Sequence, residues 1–217
     1  MEFLNKKKGI FNLSLTLWLI IINVIVFIIF TILSLTNILS INYIALSPAN
    51  IFLGKYFWTF LTSMFMHAGF LHLLVNMISL IFVCSLVEKI IGKKRYFLVY
   101  LLSGLFASAV FILSALIFKN ALSTYAVGAS GAIFGLIGVL IVLTPNLPVY
   151  LMFIPIPVKM KYAGPVLLIL LWLISIVGNI AIGNFAHFGG LILGLIYGLY
   201  LRTKFPNKVR YISKQFS

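Results

Sequence analysis

The chain has no aspartate and only two glutamates among its 217 residues. A paired-aspartate hydrolase and a Ser–His–Asp triad are therefore impossible, because both need a carboxylate at the reacting centre. No His-Glu-x-x-His run occurs, which removes the zinc-hydrolase helix of that type. The single cysteine, Cys84, cannot form an internal disulfide, and lying mid-run it reads as a small apolar packing residue. Charge of either sign is scarce, at 8% of residues against 63% hydrophobic, with a mean hydropathy of +1.21. A soluble domain of this length has no use for so much apolar surface.

Long apolar runs fill the chain instead. Spans are expected at about 14–34, 68–87, 97–118, 128–144, 164–182 and 186–201, which makes an all-α polytopic membrane protein of six helices in one domain, 1–217. The first run is too long, and too poor in a small-residue cleavage site, for a removed signal peptide, so it reads as a retained span. The net charge of +14 invites a nucleic-acid reading, but the basic residues flank spans and form no single patch. Lys6–Lys8, Lys89, Lys93–Arg95, Lys159, Lys161 and the five beyond residue 201 fall on one side; Lys55 and Lys119 fall on the other. This is the positive-inside pattern, which puts both termini in the cytoplasm and suits contact with anionic lipid headgroups. The aromatic-rich stretch 36–66 reads as a structured, partly embedded outer loop, 144–162 as a cytoplasmic turn with an interfacial segment, and 179–185 as an outer connection able to act as a lid.

Polar reactive groups inside spans are costly and mark candidate sites. Ser130 lies 15 residues above Pro145, His187 lies 15 above Arg202, and His72 lies 16 above Glu88. Helical rise puts all three about 22–24 Å from the inner face of a ~30 Å core. The second, fourth and sixth spans run the same way, so the three share the outer half of parallel helices. Ser130 also starts its helix, where unpaired N–H groups and the dipole favour a developing negative charge.

Gly128, Gly131 and Gly135 on the fourth span, and Gly190, Gly194 and Gly198 after His187 on the sixth, supply small-residue faces for close helix approach. His72 and Asn76, four apart, share a face and are suited to donate hydrogen bonds to an oxyanion beside the Ser130 N–H. His67, five residues earlier, is expected to point elsewhere and support the outer loop. With no acidic third member, a Ser130–His187 dyad remains, in which a neutral imidazole accepts the serine proton. No metal or cofactor is implied.

Together these motifs resemble the rhomboid family of intramembrane serine proteases, over nearly the whole chain. The resemblance makes Ser130, in Gly128-Ala129-Ser130-Gly131, the nucleophile. It makes His187, in Ala186-His187 with Gly190 and Gly194, the base. It matches His67, His72 and Asn76 to the second-span pattern, the last two lining the oxyanion hole, and it places Phe134 as an aromatic packed on the catalytic histidine. Glu88 also fits a family position at the end of its helix. One departure stands out: the outer-loop Trp-Arg pair of the family is Trp58-Thr59 here. The implied activity is endoproteolysis of transmembrane segments of membrane-protein substrates near the outer face of the bilayer, with helix five and 179–185 as gate. The compact six-span form and the uncleaved start favour a bacterial plasma membrane, with an organellar membrane as the alternative. The alternative is a catalytically silent rhomboid-like adaptor that binds membrane proteins for trafficking or degradation; a transporter lacks the acidic relay it would need.

Overall fold

In lipid, an apolar run can satisfy its backbone groups only as a helix or in a closed barrel, and these runs carry few prolines. The computed structural model describes residues 13–118, 121–151, 156–179 and 182–216. Lys6–Lys8, Lys119 and parts of the 144–162 and 179–185 stretches lie outside the described residues.

Helix α1 (Leu15–Leu35) opens at Ser14, whose hydroxyl accepts from the Leu17 N–H. The stretch to Met66 is structured, as its aromatics suggest: α2 (Pro48–Phe52), α3 (Thr59–Thr62) and two short 3-10 turns. Next, α4 (Phe70–Ser79) continues through one π-turn, Leu80–Cys84, into α5 (Ser85–Ile91). Gly92, at φ +81°, then reverses the chain into α6 (Lys93–Ile117). The remaining elements are α7 (Ser130–Leu143), a two-stranded antiparallel hairpin of β1 (Pro148–Tyr150) and β2 (Pro157–Lys159), α8 (Met160–Val177), α9 (Asn184–Lys204) and α10 (Pro206–Lys214).

Five helical runs are long and apolar enough to cross a membrane: α1, α4 through α5, α6, α8 and α9. The run expected at 128–144 is shorter. Its helix, α7, has 14 residues and is about 21 Å long, less than a ~30 Å core. It is buried on nearly every side, which explains why it is apolar all round. In lipid, a buried leucine gains little over a lipid-facing one, so close packing rather than burial decides how α7 sits.

Other boundaries shift for local reasons. Helix α8 starts at Met160, four residues before the expected edge, because Pro165 is accommodated inside the helix and does not open it. The 144–162 turn pairs its two valine-containing flanks into the hairpin. Asn184 and Phe185, expected in an outer connection, already belong to α9. The basic tail is a second surprise: 206–214 folds as α10, started by Pro206 at its first turn and anchored by buried Val209.

At the basic end, Glu88 is buried and its carboxylate accepts from the Leu15 N–H (2.8 Å), the Thr16 N–H (2.9 Å) and the Thr16 hydroxyl (2.7 Å). It caps the N-terminus of α1, where unpaired N–H groups and the helix dipole favour an anion. The chain's sole described acidic side chain thus joins the first two spans.

Candidate active site

Glycine decides how closely the site helices approach. A Cβ on Gly190 would run into the Gly131 carbonyl, and one on Gly194 into the Gly135 carbonyl. A Cβ on Gly138 would stand 2.6 Å from the Leu191 carbonyl oxygen. Helices α7 and α9 therefore meet backbone to backbone, as their small-residue faces require. On the other flank of α7, a Cβ on Gly131 would come within 2.6 Å of the Ala107 methyl on α6.

That approach brings Ser130 and His187 together. The His187 Nε2 and Ser130 Oγ stand 2.7 Å apart, a hydrogen bond across 57 residues of sequence. Phe134, one turn below Ser130, stacks on the imidazole at 4.7 Å between ring centroids and 19° between planes. His187 is buried, and its Nδ1 has no hydrogen-bond partner among the described residues. Among the described residues no carboxylate bonds the far side of the ring.

The third member comes from α4. The His72 ring lies against the Cα of Gly128: a Cβ there would be 2.9 Å from both Cε1 and Nε2. Gly128 also has φ +126°, so two independent constraints demand glycine at that position. The Ala68 N–H points at His72 Nδ1 across a long 3.5 Å contact, which assigns the ring proton to Nε2, on the side of Gly128 and Ser130. Asn76 is buried, and its amide donates to the His72 carbonyl at 2.8 Å, leaving its second N–H for another acceptor.

His67 departs from expectation. Its ring meets that of His72 edge-on at 5.1 Å. The helical spacing rule fails because α4 begins only at Phe70, so His67 sits on the non-helical lead-in. Burial, and secondarily the His72 ring, pushes the His67 pKa down to about 3, against a smaller opposing pull from the Phe65 carbonyl.

Several supports carry no signal in the sequence. The chain descending to Ser130 is stitched to the outer stretch by paired bonds between Leu46 and Ala126, by Ala49 N–H to Leu122 (3.1 Å) and by Gly128 N–H to the Ser63 carbonyl (2.8 Å). These are backbone contacts, which side-chain patterns do not encode. Where the family pattern has arginine, Thr59 is fully buried and its hydroxyl bonds the Tyr56 carbonyl at 2.7 Å. Trp58 donates to the Tyr43 carbonyl at 2.9 Å and packs edge-on against Tyr56.

Comparison with known proteins agrees with this architecture. The Rhomboid domain family matches residues 54–204. "RHOMBOID-like protein 6, mitochondrial" from Arabidopsis thaliana is 39% identical over 155 residues, covering 68% of this chain and 45% of that protein. "Putative rhomboid protease YdcA" from Bacillus subtilis is 40% identical over 83 residues, 38% of this chain and 39% of its own. "Inactive RHOMBOID-like protein 8", also from Arabidopsis thaliana, is 33% identical over 138 residues, 62% of this chain and 35% of its own. The chain spans less than half the length of these relatives. With plant and mitochondrial proteins among them, they lend no support to the expectation of a bacterial plasma membrane. A helical bundle with several membrane-spanning helices, matched by this domain over most of its length, makes the chain an integral membrane protein of the rhomboid family.

Proposed function

We propose that this chain is an intramembrane serine endopeptidase acting through Ser130 and His187. The observation that carries the reading is the 2.7 Å contact between Ser130 Oγ and His187 Nε2. Ser130 Oγ attacks a peptide carbonyl carbon while its proton passes to His187 Nε2. The tetrahedral oxyanion is held by the Ser130 N–H at the start of α7, by His72 Nε2–H and by the free N–H of Asn76. As the C–N bond breaks, the imidazolium returns the proton to the leaving amine. Water, activated by His187, then hydrolyses the ester and restores Ser130.

Phe134 keeps the imidazole in plane, and the packing of Gly131, Gly190 and Gly194 holds the two reacting atoms within reach. Substrates are transmembrane segments weakened by Gly or Pro, since an intact helix shields its carbonyls. A gate at α8 is supported by the way that helix is held. Its buried residues, Met160, Ala163, Gly164 and Leu168, all lie in the half away from the dyad, whereas half-exposed Trp172 meets Phe185 of α9 edge-on (5.9 Å). Both termini are taken as cytoplasmic from the basic residues, which sets the cut toward the opposite face.

One relative carries the word inactive in its name, which keeps the silent-adaptor reading as the second. Cleavage of a single-span substrate in liposomes by the wild type, Ser130→Ala and His187→Ala separates the two. Proteolysis lost in both variants, together with fluorophosphonate labelling confined to Ser130, is the expected result. A folded wild type that neither cuts a substrate panel nor takes the label makes the adaptor reading the stronger one.

A further inference from the structure

At the end of the bundle away from the dyad, the last turn of α7, the last turns of α9 and the length of α10 line a cleft of about 530 Å³, within the range of small-molecule sites. Its walls are Val142, Leu199 and Val209; Arg202, Arg210 and Lys214 contribute its cations. Along α9, Leu199 lies nearer the dyad than Arg202, so that wall of the cleft grades from apolar to cationic, and α10 adds the Arg210 guanidinium to the lining. Arg202 and Arg210 are exposed. Among the described residues no carboxylate lines the cleft, and Glu88 is committed to α1. Nor is α10 a loose tail: Phe205, at its foot, lies under the Arg95 guanidinium at 4.7 Å, and Val209 is buried.

We propose that this cleft binds one anionic phospholipid, its phosphate between Arg202 and Arg210 and an acyl chain along Leu199 and Val142. The gradient matches a lipid and no soluble anion: an isolated phosphate leaves the apolar wall uncovered, and an uncharged lipid leaves two guanidinium groups without a counter-charge. Because α7 carries Ser130 and α9 carries His187, the bound lipid bridges the far ends of both site helices.

The test is native mass spectrometry of the full chain released from micelles containing phosphatidylglycerol and phosphatidylcholine. The wild type is expected to retain one phosphatidylglycerol in preference to phosphatidylcholine. The double substitution Arg202→Gln, Arg210→Gln is expected to weaken that binding about 30-fold, and Lys55→Gln on the outer loop to leave it intact. Thermal unfolding checks that the double variant is folded; if it is not, Arg210→Gln alone, exposed on α10, carries the same prediction at about fivefold. Equal retention by variant and wild type, equal uptake of phosphatidylcholine, or displacement by millimolar inorganic phosphate would each overturn the proposal.

Discussion

The carbonyl of Gly131 occupies the place where a side chain on Gly190 would begin. The same relationship repeats one turn lower, between Gly135 and Gly194. Four glycines thus form a ladder of two rungs directly beneath the Ser130–His187 hydrogen bond.

Gly190→Ala and Gly194→Ala must push α9 away from α7. Each is expected to lower thermal stability by about 1–3 kcal/mol, the usual cost of overpacking, and to abolish fluorophosphonate labelling of Ser130. Gly69→Ala, where an added methyl meets nothing within 4 Å, is the control and should match the wild type. Unfolding curves and labelling on the same samples decide the matter.

Gly128→Ala acts differently. Its methyl displaces the His72 ring and strains a backbone at φ +126°. Cleavage should fall at least tenfold through kcat, while the Ser130–His187 contact, built by other residues, persists. A KM effect with unchanged kcat would refute an oxyanion role for His72.

Phe134→Leu keeps an apolar body but removes the stacked face from His187. Aromatic pairs are worth about 0.5–1.5 kcal/mol beyond simple burial, so the rate should drop roughly two- to tenfold, with Phe134→Tyr near wild type. Parallel kinetics of the two variants test whether the ring orients the base.

His67 is neutral when folded, at a pKa of about 3 against an ordinary 6.5. The unfolded chain therefore binds the extra proton between those values, and stability present above about pH 6.5 is lost as pH falls toward 3. His67→Gln should flatten that part of the melting-temperature profile relative to wild type. An identical acid slope in both proteins would remove His67 from the account.

Glu88→Gln retains one carbonyl acceptor for three donors and loses the charge that faces the α1 N-terminus. With charge-assisted bonds worth about 1.5–3 kcal/mol each, the variant should melt well below wild type, and Glu88→Ala lower still. Calorimetry in one detergent is sufficient.

Much of this architecture is legible in the chain because membranes restrict the choices. Hydropathy alone locates α1, α6 and α9 to within a few residues, and the glycine faces of α7 and α9, taken with the equal depth of Ser130 and His187, lead one to expect those two side chains side by side. What escapes is non-helical or backbone-mediated. The edge-on meeting of His67 with His72 depends on where α4 begins, which no periodicity reports. The Leu46–Ala126 pairing joins two stretches with no motif, and α10 is too short and polar to register as more than a charged tail. The brevity of α7 is hidden too, since Ala126 and Val127 before the helix and Leu147 and Val149 after it carry the apolar composition past its ends.

The π-turn at Leu80–Cys84, where the Ser85 N–H reaches back to the Leu80 carbonyl, changes the phase of the helix that contains it. Asn76 and Glu88 are twelve residues apart, which in an unbroken α-helix sets them about 120° apart around the axis. Absorbing one residue in the wider turn removes about 100° of that difference, and both side chains then face the bundle, as their burial shows. A single helix can therefore present a donor to the site at one end and a carboxylate to its neighbour at the other. The two duties are compatible only because the helix miscounts once between them.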